Sequence, residues 1–192
     1  MRVFCAIELS EETRARCAEY VARLREAAPR GGVRWADAGR LHITMQFYGE
    51  ITPERTALVE DAARQSAGEA FTIRLAGAGT FPARGTPRVW WLGVADDSGE
   101  LGALQTRLVD ASAARGFAVE RRSFAAHVTI GRTNRPSSEL RELARLHQAN
   151  VFDAGEMIVR ELVVMRSELG AEGARYVPLS RVGLKSDSPI GS

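Results

Sequence analysis

Two stretches of the chain carry the same chemistry at the same spacing: Leu41-His42-Ile43-Thr44-Met45 and Ala126-His127-Val128-Thr129-Ile130. In a β-strand, residues i and i+2 share a face. Each stretch therefore puts an imidazole and a hydroxyl side by side in front of an apolar back. Continued alternation predicts Gln46 and Tyr48 on the face of His42 and Thr44. A neutral imidazole takes a proton from an attacking water, and an imidazolium gives one to a leaving oxygen; the ordinary histidine pKa suits both roles. Threonine hydroxyls donate to oxygens on which charge builds. In-line displacement at phosphorus needs an acid and a base on opposite sides of the phosphate. A strained cyclic phosphodiester is a natural substrate, because its ring opens without a metal-activated leaving group. A metal-dependent hydrolase using His42 and His127 as ligands would need Asp, Glu or His beside them, and neither motif has one on its front face. The third histidine, His147, reads as a structural residue of a helix.

The elements that must position these motifs follow from periodicity and punctuation. Arg2 to Leu9 alternates as a strand, and Ser10 caps a helix with a Cys17, Val21, Leu24 and Ala28 stripe. Val33 to Trp35 is a short extended piece. Thr52-Pro53-Glu54 opens a second helix. Ala70 to Leu75 is a strand followed by a glycine-rich turn to Phe81-Pro82. Arg88 to Val94 is an apolar strand, and Leu101, Leu104, Leu108 and Ala111 mark a third helix. Ser137 or Ser138 caps a fourth, and the closing strands are Glu156 to Arg166 and Arg175 to Val182, with a frayed tail from Lys185 to Ser192. This order repeats. His42 and His127 are 85 positions apart, as are Thr52 and Ser137. A duplication predicts a single bilobal domain over 1–184 (repeats near 1–82 and 86–167). The motif strands would then occupy equivalent positions about a pseudo-two-fold axis, facing one cleft.

Composition narrows the chemistry. The 192 residues are 45% hydrophobic and 26% charged with a net charge of +2, ordinary for a globular protein. One of the 26 basic residues is a lysine, Lys185. A lone lysine in a frayed tail excludes joining by lysyl adenylation. Guanidinium suits bidentate phosphate recognition, although arginine bias alone accounts for the composition. Cys5 and Cys17 are too few for a disulfide framework and fall on core faces, which points to a reducing compartment. The opening residues lack the apolar core of a signal peptide, and no stretch approaches a membrane span.

The motifs give the chain a resemblance to the two-histidine (2H) phosphoesterase superfamily, and within it to the RNA 2′,3′-cyclic phosphodiesterases, also called 2′-5′ RNA ligases. The similarity runs from residue 2 to 182. It rests on Arg2-Val3-Phe4-Cys5-Ala6-Ile7, Val33-Arg34-Trp35, Leu41-His42-Ile43-Thr44, Phe47-Tyr48-Gly49-Glu50 and Phe81-Pro82. It rests also on Pro87-Arg88-Val89, His127-Val128-Thr129-Ile130-Gly131-Arg132 and Arg166-Ser167-Glu168-Leu169-Gly170. The resemblance implies an α+β, two-lobed fold, each lobe a mainly antiparallel sheet with helices on its outer face. It implies metal-independent, cofactor-free hydrolysis of a terminal RNA 2′,3′-cyclic phosphate to a 2′-phosphomonoester. His42 would protonate the departing 3′ oxygen and His127 would act on water. Thr44, Thr129 and Arg132 would hold the phosphate, although Arg132 is out of phase with His127 unless the strand ends or bulges. Reverse joining of RNA ends would be a side activity. The partners implied are RNA ends and small cyclic nucleotides, for a cytoplasmic monomer.

The chain departs from the family pattern at three places. Ala126 stands where proline is common, Tyr48 where leucine is usual, and Met165 where an aromatic often stands. Arg121, Arg122 and Arg135 flank the second motif and would steer RNA or form a solvated rim. Phe81 or Trp35 would stack on the terminal base or belong to the core. The alternative function is a module of the same fold that binds RNA ends or nucleotides without turnover.

Overall fold

Strict alternation at the start of the chain gives β1 (Arg2–Glu8), with Val3, Cys5 and Ile7 buried behind it. The computed structural model describes residues 1–119, 123–170 and 173–185. Ser10 caps α1 (Glu11–Ala27): its hydroxyl accepts from the Thr13 N–H at 3.2 Å, and Glu11 and Glu12 occupy the positive first turn. A short strand β2 (Val33–Trp35) and a 3-10 turn (Ala38–Arg40) precede the first His-x-Thr strand, β3 (His42–Glu50). Pro53 opens a second 3-10 turn, so α2 (Thr56–Ser66) starts a turn later than the Thr-Pro-Glu signal predicts. Then come β4 (Phe71–Phe81), β5 (Val89–Ala95), α3 (Glu100–Ala113) and the second His-x-Thr strand, β6 (His127–Thr133). Ser137 caps α4 (Ser138–Ala149), and β7 (Asp153–Val159), β8 (Glu161–Gly170) and β9 (Gly173–Gly183) follow.

These strands form one curled antiparallel sheet in the order β7-β4-β5-β6-β3-β1-β8-β9, with β2 added beside β6. The motif strands are the central neighbours, so the two lobes are the halves of a continuous sheet. Two helices, α1 and α3, cross between the halves. α1 leaves β1 yet packs on the other half, where Tyr20 meets Phe152 at 4.9 Å and Arg16 reaches the Ala154 carbonyl. α3 leaves β5 and lies behind β3, where Ser112 bonds the Tyr48 hydroxyl at 2.9 Å. One apolar cluster runs behind both halves, and a small one of Phe4, Ala6, Val163 and Met165 lies on the opposite, helix-free face. Among the described residues, no helix is long and apolar enough to cross a membrane.

Three sequence expectations change. β4 does not turn at its glycines but continues to Phe81, with an irregularity between Leu75 and Ala78 and a positive φ at Gly77. Its partner Gly93 must be glycine, because a Cβ there would sit 2.4 Å from the Ala76 carbonyl oxygen. The segment read as one strand over 156–166 is two, β7 and β8, which break at Arg160 and pair in opposite halves. Period-two alternation persists through a change of partner, so the pattern conceals the break. Lys185, expected in the frayed tail, is held: its N–H donates to Gly68 and its carbonyl accepts from Ala70. Residues 186–192 lie outside the described residues.

His147 is structural, as its helix position suggests. Its Nε2 lies 3.1 Å from the Gly79 carbonyl and 3.2 Å from that of Trp91. Carbonyls only accept, so Nε2 carries the proton and Nδ1 accepts from the Tyr20 hydroxyl at 2.9 Å. The ring thus ties α4 to β4, β5 and α1. Burial holds its pKa below the ordinary 6.5. As pH falls through that value the unfolded chain takes a proton that the folded one resists, so stability is lost toward acid. The expected outcome is an acid decline of up to about 1.4 kcal/mol per pH unit from this group. Denaturant melts of wild type and His147→Gln across pH 7 to 5 should show a shallower decline in the variant.

Candidate active site

The motif strands are direct neighbours, and their register contains one pair, Ile43 opposite Val128, both fully buried on the helix side. Antiparallel pairing on either side of it sets His42 across from Thr129 and Thr44 across from His127. All four point to the helix-free face. Other neighbouring strands pair over longer stretches, so β3 and β6 splay from this contact and leave a cleft.

Both imidazoles are held by the same device. His42 Nδ1 lies 2.8 Å from the Arg40 carbonyl, and His127 Nδ1 lies 2.7 Å from the Ala125 carbonyl. Each Nδ1 is therefore the donor, which leaves Nε2 as the nitrogen able to accept a proton. The Arg40 carbonyl is itself fixed by the 3-10 turn, whose Asp37 side chain accepts from Gly39 N–H at 2.8 Å. His42 Nε2 lies 3.1 Å from Thr44 Oγ1. Aromatic walls back both rings. His42 meets Phe4 at 5.0 Å and the edge of Tyr176 at 5.1 Å, and His127 meets Phe81 edge-on at 5.3 Å.

One feature breaks the local two-fold. Across from His42 on β1 stands Glu8, whereas across from His127 on β5 stands Gly93. Burial lowers the His42 pKa; the bond to Arg40 and the Glu8 charge work against it, and His127 reinforces it. These charges reach His42 from β1 and β6, while β9 presents the Tyr176 edge. Glu8 is in turn held by Arg181 at 2.6 Å, which also pairs with Glu161. Sequence reasoning missed Glu8 and Tyr176, because alternation places Glu8 on a face without revealing which strand lies beside it.

A bulge decides the direction of Arg132. Pairing of β5 with β6 shifts between Trp90 and Trp91, leaving Ile130 as an extra residue. This bulge reverses the phase, so Arg132 emerges, exposed, on the face of His127 and Thr129. An equivalent bulge at Met45 in β3 overturns the expectation for Gln46 and Tyr48. Gln46 is buried on the helix side, and Tyr48 packs there against Phe117 with its hydroxyl on Ser112. Phe47 takes the front position instead, 50% exposed. Phe81, 39% exposed, borders the cleft beside His127. Trp35 does not: it lies over Gly131 against Trp90, on the helix side. Arg135 follows β6, its N–H on the Gly32 carbonyl, while Arg121 and Arg122 lie outside the described residues. Among the described residues no three of His, Cys, Asp and Glu cluster as metal ligands.

Residues 13–171 match the model of the 2′-5′ RNA ligase superfamily. An RNA 2′,3′-cyclic phosphodiesterase of Archaeoglobus fulgidus is 32% identical over 179 residues, covering 93% of this chain and 98% of the relative. The Thermus thermophilus protein TT0787 superposes with a TM-score of 0.81 at 27% identity, over 98% of this chain and all of that one. Escherichia coli LigT complexed with 3′-AMP superposes at 0.74, also 27% identical, over 95% and 97% of the two chains.

Burial and Glu8 act on His42 in opposite directions, which an NMR titration of the imidazoles can read. His42 should titrate below 6.5. Glu8→Gln removes an anion that favours the imidazolium, so the His42 midpoint should fall further. A midpoint unchanged or raised in that variant would show that Glu8 does not act on the ring.

Proposed function

This chain belongs to the 2′-5′ RNA ligase superfamily and is enzymatically an RNA 2′,3′-cyclic phosphodiesterase; from that premise we propose that His42 and His127 open the cyclic phosphate as acid and base. The observation that carries this reading is the pair of main-chain-anchored imidazoles on adjoining strands, each presenting Nε2 on the front face.

In the reaction, a water oxygen attacks phosphorus while His127 Nε2 takes its proton. The bond from phosphorus to O3′ breaks, and His42 Nε2–H protonates that oxygen. The products are a 2′-phosphomonoester and a free 3′-hydroxyl, with His42 now neutral and His127 protonated; exchange with solvent resets both. Thr44, Thr129 and Arg132 meet the charge on the non-bridging oxygens. What supports His42 as the acid is Glu8, which favours its imidazolium and has only Gly93 as counterpart beside His127. The arriving phosphate, itself an anion, favours the same form. All the groups needed are imidazole, hydroxyl and guanidinium, so the proposed reaction is metal-independent. If an RNA 5′-hydroxyl replaces water, the same steps join two ends through a 2′-5′ bond, with hydrolysis dominant because water is in excess. Small cyclic nucleotides fit the same chemistry.

The test is incubation with a short RNA ending in a 2′,3′-cyclic phosphate, with and without EDTA. Turnover to a 2′-phosphate should persist in EDTA. His42→Ala and His127→Ala should each lower kcat/KM by about a thousandfold. Loss of activity in EDTA would favour a metal mechanism, a 3′-phosphate product would overturn the leaving group assigned to His42, and binding without turnover would leave a recognition module.

A further inference from the structure

Beyond the reacting groups, the front face carries a guanidinium, that of Arg34, that the reaction does not use. β2 lies beside β6 with Arg34 directly opposite Arg132. The neighbouring pairs fix the direction of both side chains. Trp35 with Gly131 and Val33 with Thr133 face the helix side, where Thr133 bonds the Trp90 indole N–H. Arg34 and Arg132 therefore point together to the face of the histidines, and both are exposed. Like charges directly opposite across two strands repel. Among the described residues neither meets a carboxylate at ion-pair distance. Two adjacent guanidinium groups with no counter-ion among the described residues make a place for an external anion, and their planar forks suit a phosphodiester.

The position of the pair identifies which phosphate. The Ile130 bulge sets Arg132 two strand steps beyond Thr129, about 7 Å along β6. Arg34 lies across from it on β2, along the edge of β6 that also carries β3. That is the next place along a single strand whose terminal phosphate sits between the motifs. Beyond it the chain offers Arg30 and Arg135, both exposed, where Asn134 and Arg135 bond the Gly32 carbonyl. We propose that Arg34, side by side with Arg132, binds the phosphodiester that joins the terminal nucleoside to the rest of the RNA. This site distinguishes an RNA end from a free nucleoside cyclic phosphate, which lacks that group. The inference rests on the proposed cyclic phosphate chemistry for its orientation, but not for its readout.

The experiment compares cytidine 2′,3′-cyclic phosphate with a trinucleotide ending in the same group, using wild type, Arg34→Ala and Arg34→Lys. Arg34→Ala should cut the trinucleotide-to-mononucleotide ratio of kcat/KM about tenfold, mainly through KM, and Arg34→Lys should restore part of it. On the trinucleotide, the slope of log kcat/KM against log salt should flatten by about 0.7 in Arg34→Ala. Replacing the last internucleotide phosphate by an uncharged methylphosphonate should remove the wild-type preference and leave Arg34→Ala with no further loss. An unchanged ratio, or a loss equal on both substrates, would overturn the site. So would a preference that survives the methylphosphonate, which would assign it to the bases. Fluorescence anisotropy with the same trinucleotide ending in a 2′-phosphate, set against a nucleoside 2′-phosphate, applies the same criterion to binding. If wild type turned over neither substrate, the proposed reaction would fail while this readout still decided the site.

Discussion

The architecture depends on one contact between two apolar side chains, Ile43 and Val128, at the seam of the sheet. Each is fully buried, and burial of a side chain of that size is worth about 2 kcal/mol. Their larger consequence is positional. With these two turned to the helix side, their flanking residues must face the opposite side, and those residues are the two histidines and two threonines. A slip of one residue in this register would turn one of the two imidazoles into the apolar core. The crossing of α1 and α3 between the halves guards against that slip, because each half is covered by a helix whose chain starts in the other.

Within each motif strand, a second constraint operates through an extra residue at an equivalent place, and β3 carries another at Tyr48. Met45 and Ile130 are bulges at the same 85-residue offset as the histidines, so the local two-fold extends to irregularity as well as to pairing. Beyond each bulge the phase reverses, and the equivalent front positions become Phe47 and Arg132. One half thus offers a hydrocarbon ring where the other offers a guanidinium. Glu8 and Gly93 differ in the same manner. The backbone is nearly symmetric, and the chemistry is made asymmetric by substitution at equivalent places.

The paired motifs, their offset and the alternation of their first residues were legible because each depends on local periodicity and on side-chain type. So were the caps at Ser10 and Ser137. Bulges were not legible: Leu41 to Tyr48 alternates without interruption, yet Tyr48 faces the core because of a pairing irregularity with β1. The split of 156–166 into β7 and β8 was hidden for a related reason, since an alternating strand looks the same whichever partner it meets. The neighbours Glu8 and Tyr176 depend on strand order, a non-local property. Trp35 went to the core through the approach of its ring to Gly131, a contact that a residue-by-residue reading cannot contain.

The anchoring of both imidazoles on main-chain carbonyls has a consequence for how the site tolerates change. A carboxylate in that role would be a side chain that mutation can remove and acid can neutralise. The carbonyls of residues 40 and 125 survive any substitution that keeps the backbone path, and they do not titrate. Arginine stands at one of these positions and alanine at the other, and both present the same oxygen. The tautomer of each motif ring is thus written in the trace of the chain rather than in its side chains, so a short His-x-Thr signature can fix an imidazole without any partner side chain.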